Sequence, residues 1–147
     1  MKLLLNSLLG ILLGTCGYTF YYAQGASYLS NDSRACVNCH IMRSQFESWE
    51  KASHHAFATC GDCHVPHGFV SKWLAKGENG YFHSLAFTIW NFREPIRIKA
   101  RNIGVLNANC LYCHQDFVSE ITAHRVINDE ELYCVRCHDS VGHGPGR

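Results

Sequence analysis

Net charge is almost missing from this chain: 13 Lys and Arg against 12 Asp and Glu give +1 over 147 residues. That balance excludes a nucleic-acid binder held by bulk positive charge. Apolar residues reach 47%, but they crowd into the first 29 positions. The remaining roughly 120 residues, enough for one domain, therefore have only a modest core to build. Charge is absent altogether from residues 3–23. Unpaired cysteine is scarce as well: of nine cysteines, Cys16 alone lies outside a C-x-x-C unit. A disulfide scaffold is the ordinary reading of many cysteines in an exported chain, and that pairing argues against it. No obvious polar substrate pocket accompanies the cysteines, which argues against a chain that reduces a substrate by itself.

What is present is a histidine after every cysteine pair. The motifs are Cys36-Val37-Asn38-Cys39-His40, Cys60-Gly61-Asp62-Cys63-His64, Cys110-Leu111-Tyr112-Cys113-His114 and Cys134-Val135-Arg136-Cys137-His138. One copy could be a zinc or redox pair. Four copies in so short a chain indicate four covalently bound c-type haems, each with two thioether bonds and a nearby histidine. Cys36 to Cys60 and Cys110 to Cys134 are both 24 residues, the mark of a repeated two-haem unit. The macrocycles would supply apolar faces that the exported part lacks. The expected fold is mostly α with much irregular loop: a single N-terminal transmembrane helix followed by a small haem-packed domain.

Four six-coordinate haems need eight axial ligands. The motifs offer four, and His54, His55, His67, His83, His124 and His143 remain. Met42 is a further candidate, since a thioether can ligate a c-type haem. On a helix His40 and Met42 lie about 200° apart. Spacing favours His40, although a strained local turn would bring Met42 to the iron instead. His143 and His55 each sit five residues from a motif, in position to reach a neighbouring haem. His67 reads as a surface histidine, and at most one of His54 and His55 can be a ligand.

Along the chain, residues 3–23 are long enough to cross a bilayer core of about 30 Å. They end in the aromatic cluster Tyr18, Phe20, Tyr21 and Tyr22, as an interfacial belt does. This suits a retained anchor better than a cleaved signal peptide. With Lys2 as the flanking charge, the N-terminus is expected in the cytoplasm and the rest in the periplasm. Residues 1–27 form the anchor and link, and 28–147 the haem domain, with two-haem units at 33–68 and 107–143. Asn31, Asp32 or Ser33 would cap a helix running from the first motif to about Ala52. The joining segment 69–106 reads as two or three short helices broken at Gly77, Gly80 and Pro95. Its interleaved aromatics and basic residues suit haem edges and a membrane surface alike. A helix would follow the third motif through His124, and another would start at Asn128 or Asp129 and carry the fourth.

The chain resembles the NapC/NirT/NrfH family of membrane-anchored multihaem quinol dehydrogenases. The likeness rests on Tyr28-Leu29-Ser30, Ala35 to Met42, Ser53-His54-His55-Ala56, Lys76, His83 to Thr88 and Ser140 to Gly144. It implies a menaquinol dehydrogenase in the inner membrane. Electrons would pass to a periplasmic multihaem nitrite reductase catalytic subunit, for respiration of nitrite to ammonia. It also implies that Met42, not His40, is the proximal ligand of a membrane-side haem 1, and that Lys76 lines the quinol pocket. His64, His114 and His138 would hold haems 2, 3 and 4, with His55 and His143 as distal ligands. Haem 2 is then short of a distal histidine, which a partner side chain could supply. Asn79 stands where the family pattern has an acidic residue, so Glu78 or His83 would take the proton, or else His83 would ligate haem 1. Alternatives are a quinol dehydrogenase serving a nitrate or trimethylamine N-oxide reductase, and an anchored electron shuttle with no quinol site.

Overall fold

A computed structural model describes residues 1–125 and 133–144, with side chains in the last helix described to residue 120. Helices and turns carry the fold, and no strand occurs among the described residues. Helix α1 (Lys2–Tyr22) has a mean hydropathy of 1.6 and buries none of its residues against the protein. At 1.5 Å per residue its 21 residues span about 31 Å, the thickness of a bilayer core. It is the one helix among the described residues long and apolar enough to cross a membrane. Thr15 donates its hydroxyl to the Ile11 carbonyl at 2.8 Å, so this polar group is satisfied within the helix.

The chain turns sharply after α1. Gln24 adopts a left-handed conformation (φ 50°) and starts a 3₁₀ turn over Gly25–Leu29. A side chain at Gly25 would collide with the Phe20 ring, so close approach explains glycine there. A second 3₁₀ turn, Ser33–Asn38, is capped by Asp32, whose carboxylate accepts from the Arg34 N–H at 2.9 Å. The first motif then departs from expectation. Instead of one helix to Ala52, the backbone is extended at Cys39 (φ −89°, ψ 106°), and His40–Met42 form a separate 3₁₀ turn. Helix α2 (Arg43–Glu50) starts only after it.

The second motif is itself a short helix, α3 (Cys60–His64). Thr59 and Asp62 close a reciprocal capping box at its start. Helix α4 (Phe69–Thr88) is continuous through Gly77 and Gly80, where breaks were expected. Interior glycine costs only about 1 kcal/mol against alanine, and Gly80 has a use: a Cβ there would lie 3.6 Å from the Tyr28 ring. Helix α5 (Ala100–Arg125) carries the third motif in its middle rather than starting after it. The fourth motif is a 3₁₀ turn, Cys134–Arg136. The helix expected to begin at Asn128 or Asp129 lies outside the described residues.

No apolar side chain is buried among the described residues; the buried ones are Ser33, Lys76 and Asn109. This inverts the usual order, in which polar groups are the rare ones inside. The accessible surface is 11957 Å², against about 7,600 Å² for a folded monomer of this size. Phe57, Tyr112, Phe117 and Trp90 are all largely exposed, although the projecting α1 also contributes to the total.

Candidate haem centres and the face beside the first motif

Three polar side chains tie the motifs together. The Ser33 hydroxyl accepts from the Cys60 N–H at 3.0 Å, joining the first motif to the second. The Asn109 amide donates to the Cys63 and Val65 carbonyls, both at 2.9 Å, joining the second to the third. Asn107 Oδ1 accepts from the Cys134 N–H at 2.9 Å, joining the third to the fourth. The thiols of Cys36 and Cys60 lie within hydrogen-bonding reach, as do those of Cys110 and Cys134. The Cys36–Cys60 bond, with burial, pushes the Cys36 thiol up, and the same bond holds Cys60 down at about 6 against the effect of burial. Burial raises Cys110 to about 11.

Two imidazole pairs stand out. His64 and His143 have ring centroids 5.9 Å apart, and His54 and His114 6.0 Å. Metal–nitrogen bonds of about 2 Å plus a ring radius on each side would place two imidazoles about 6 Å apart across one metal ion. Second contacts orient the non-motif rings. His143 Nδ1 lies 3.1 Å from the Gln45 carbonyl, which can only accept. The proton therefore sits on Nδ1, and Nε2 keeps a free lone pair. His54 Nδ1 lies 3.1 Å from the Ser53 hydroxyl. Loss of hydration, and then the neighbouring His143, lower the pKa of His64. These pairs, the cysteine pairs beside them and the exposed aromatic faces fit a c-type haem.

Other histidines fall elsewhere. His55 packs edge-on to Trp49 at 6.0 Å and lines an open cavity of about 430 Å³ with Phe46 and Trp49. The sequence left the second motif without a distal histidine, whereas the structure brings His143 to His64. His67 is not a surface residue. Its ring lies parallel to Tyr112 at 4.1 Å, and its Nε2 is buried without a hydrogen-bond partner among the described residues. His138 is exposed. The His124 side chain lies outside the described residues. In the first motif His40 is exposed and Met42 half-buried. The break at Cys39 turns the chain there, and the Met42 N–H closes back on the Cys39 carbonyl at 2.8 Å.

Beside that motif lies one face of α4. Lys76 is 8% exposed. Its ammonium donates to the Ser30 carbonyl at 2.7 Å, Asn31 Oδ1 at 2.9 Å and the Leu29 carbonyl at 3.5 Å. It also lies 5.3 Å from the Trp73 ring centroid. Burial, and then Lys72, hold its pKa below the ordinary lysine value, against a pull from Cys36. His83 is seven residues on, about 20° from Lys76 around the helix. Burial and the nearby Lys99 lower its pKa. Glu78 points elsewhere. Its carboxylate takes both arms of Arg101 at 2.8 and 2.6 Å, which holds its pKa below the ordinary value.

Two residues on this side were given no site role by sequence. Tyr28 packs over Gly80, and burial, then Cys39 and Cys36, raise its pKa. Asn31, noted only as a possible helix cap, accepts from Lys76 instead. Their signal was weak, because their partners on α4 are 45 or more residues away.

Residues 1–146 match the NapC/NirT cytochrome c family, N-terminal region. The chain is 34% identical over 146 residues to the cytochrome c-type protein NrfH of Wolinella succinogenes, covering 93% of this chain and 82% of that one. It is 26% identical over 142 residues to the cytochrome c-type protein NapC of Escherichia coli K12, covering 78% and 69%. Among solved structures it is similar to the cytochrome c nitrite reductase NrfHA complex bound to the HQNO inhibitor. That match has a TM-score of 0.69 and 26% identity and covers 100% of this chain and 93% of that one.

Proposed function

The chain belongs to the NapC/NirT cytochrome c family, and from that premise we propose that it is a membrane-anchored tetrahaem menaquinol dehydrogenase. Its electrons would go to a periplasmic nitrite reductase catalytic subunit. The observation that carries the quinol reading is the Lys76 cage. A buried ammonium sits against the first motif, on the same face of α4 as a histidine whose pKa is held below the ordinary value.

Bound haem supplies a one-electron acceptor to a donor that must give up two electrons singly. The eight motif cysteines anchor it. Met42, His64, His114 and His138 would ligate from the motif side, His143 opposite His64, and His54 rather than His55 opposite His114. The exposed His138 would face the partner subunit. On α4 the quinol hydroxyl would take the place of the Leu29 carbonyl, the longest of the three bonds to Lys76. The ammonium would then stabilise the developing oxyanion, and a ring nitrogen of His83 would take the proton. Glu78, saturated by Arg101, would tie α4 to α5 instead of accepting a proton.

The test is the full-length protein with its reductase in lipid vesicles containing menaquinol. Lys76→Met and His83→Leu should each lower menaquinol-dependent nitrite reduction about a hundredfold or more, the range for losing an oxyanion donor or a general base. Dithionite should still reduce every haem. Unchanged rates would point to an anchored shuttle without a quinol site. Nitrite reduction by the purified chain alone would overturn the assignment of that step to a partner. Capture of a nitrate or trimethylamine N-oxide reductase with the native chain would redirect the acceptor.

A further inference from the structure

The second and fourth motifs each draw a cap from the motif before them. A helix start leaves N–H groups without partners inside the helix. In the second motif, Thr59 caps the Asp62 N–H locally, but the Cys60 N–H goes to Ser33. In the fourth, the Cys134 N–H goes to Asn107. Ser33 and Asn107 each stand three residues before the first cysteine of the preceding motif. Each bond spans 27 residues.

The match is not forced by similar backbone. Ser33 lies in a 3₁₀ turn and Asn107 in the α-helix α5. The receiving cysteine opens an α-helix in one case and a 3₁₀ turn in the other. Different residues on different local structures make the same bond between the same two motif positions. Asn109 then spans the two units, with both amide hydrogens used on the Cys63 and Val65 carbonyls.

Building on the reading that each motif holds one haem, we propose that Ser33, Asn107 and Asn109 are positioning residues that set haem-to-haem geometry. Ser33 and Asn107 do the same work inside the two units, and Asn109 works between them. The cap fixes the first thioether-bearing residue of one motif against the turn that starts the other. Little apolar packing is available to do this, since no apolar side chain is buried among the described residues. A hydrogen bond to a half-buried N–H stabilises the join, and stranding that N–H costs more than the bond contributes. Removing the acceptor should therefore shift one motif against its partner without unfolding the chain.

The experiment compares near-isosteric pairs in the full-length haem-loaded protein: Ser33→Thr with Ser33→Val, Asn107→Asp with Asn107→Leu, and Asn109→Leu alone. Haem content is measured first. A wild-type content other than four per chain overturns the tetrahaem reading itself, independently of the clamps. With four haems bound, electron paramagnetic resonance reads the magnetic interaction between neighbouring haems. Ser33→Val should lose the interaction within the first unit only, and Asn107→Leu that within the second only. The Thr and Asp variants keep an acceptor and should retain the wild-type interaction. Asn109→Leu should keep both and slow electron transfer between the units. If a variant loads fewer haems, mass spectrometry of the haem peptides decides: losses confined to the unit of the missing clamp support the proposal. Unchanged spectra, or changes spread evenly over both units, overturn it.

Discussion

His83 shows how much one side chain's surroundings decide. Its ordinary value is 6.5, and both burial and the Lys99 ammonium favour the neutral ring. A neutral imidazole can accept a proton and an imidazolium cannot. Menaquinol oxidation should therefore be flat near pH 7 and fall as the pH drops through the His83 pKa, which lies below 6.5. Lys99→Met removes a positive charge that disfavours protonation, so the pKa rises and the acid limb moves to higher pH. The pH profile of kcat/KM for menaquinol checks this, because it reports groups of the free protein. A limb that stays in place in Lys99→Met would remove His83 from the role. The family resemblance directed attention to Lys76 and His83, which lie on one face of α4. The fate of Glu78 was not legible in the sequence, because Arg101, 23 residues away, decides it.

At the scale of the element, the break at Cys39 governs the first motif. A continuous helix would put His40 and Met42 on opposite sides and favour His40. The extended residue and the separate 3₁₀ turn remove that premise. If Met42 is the ligand, His40→Ala should leave the spectrum and potential of haem 1 as they are. Met42→His should lower that potential, since thioether ligation raises it. A large shift in His40→Ala would reverse the assignment. Motif spacing was legible because attachment chemistry is local. The backbone path through a motif was not, because it depends on what the neighbouring turns pack against. The glycines of α4 misled for the same reason. Gly77 has open space around its Cβ position, and Gly80 meets Tyr28. Gly77→Ala should therefore stabilise α4 by about 0.5–1 kcal/mol, seen as a higher melting temperature of the loaded protein. A lower one would show that α4 needs the glycine.

Across the whole molecule, apolar and polar groups have exchanged places. Ser33, Lys76 and Asn109 are buried, and each joins segments distant in sequence. Phe57, Phe117 and Tyr112 face outward around the motifs. The sequence foreshadowed half of this, since its apolar residues crowd into α1 and leave the rest short of core. It could not show that a few polar clamps would take over the ordering, because each clamp is a long-range pair of ordinary residues. Such clamps contribute about 1 kcal/mol each, far below the entropic cost of ordering more than a hundred residues. The remainder must come from apolar surface packed against covalently attached macrocycles. Replacing all eight motif cysteines with alanine should therefore leave helical α1 in the membrane and abolish the order of the rest. Circular dichroism should show helix content falling to about that of the anchor, and protease should digest residues beyond the Gln24 elbow at rates typical of an unfolded chain. A cysteine-free chain that kept its full helicity and protease resistance would mean that these helices pack without haem.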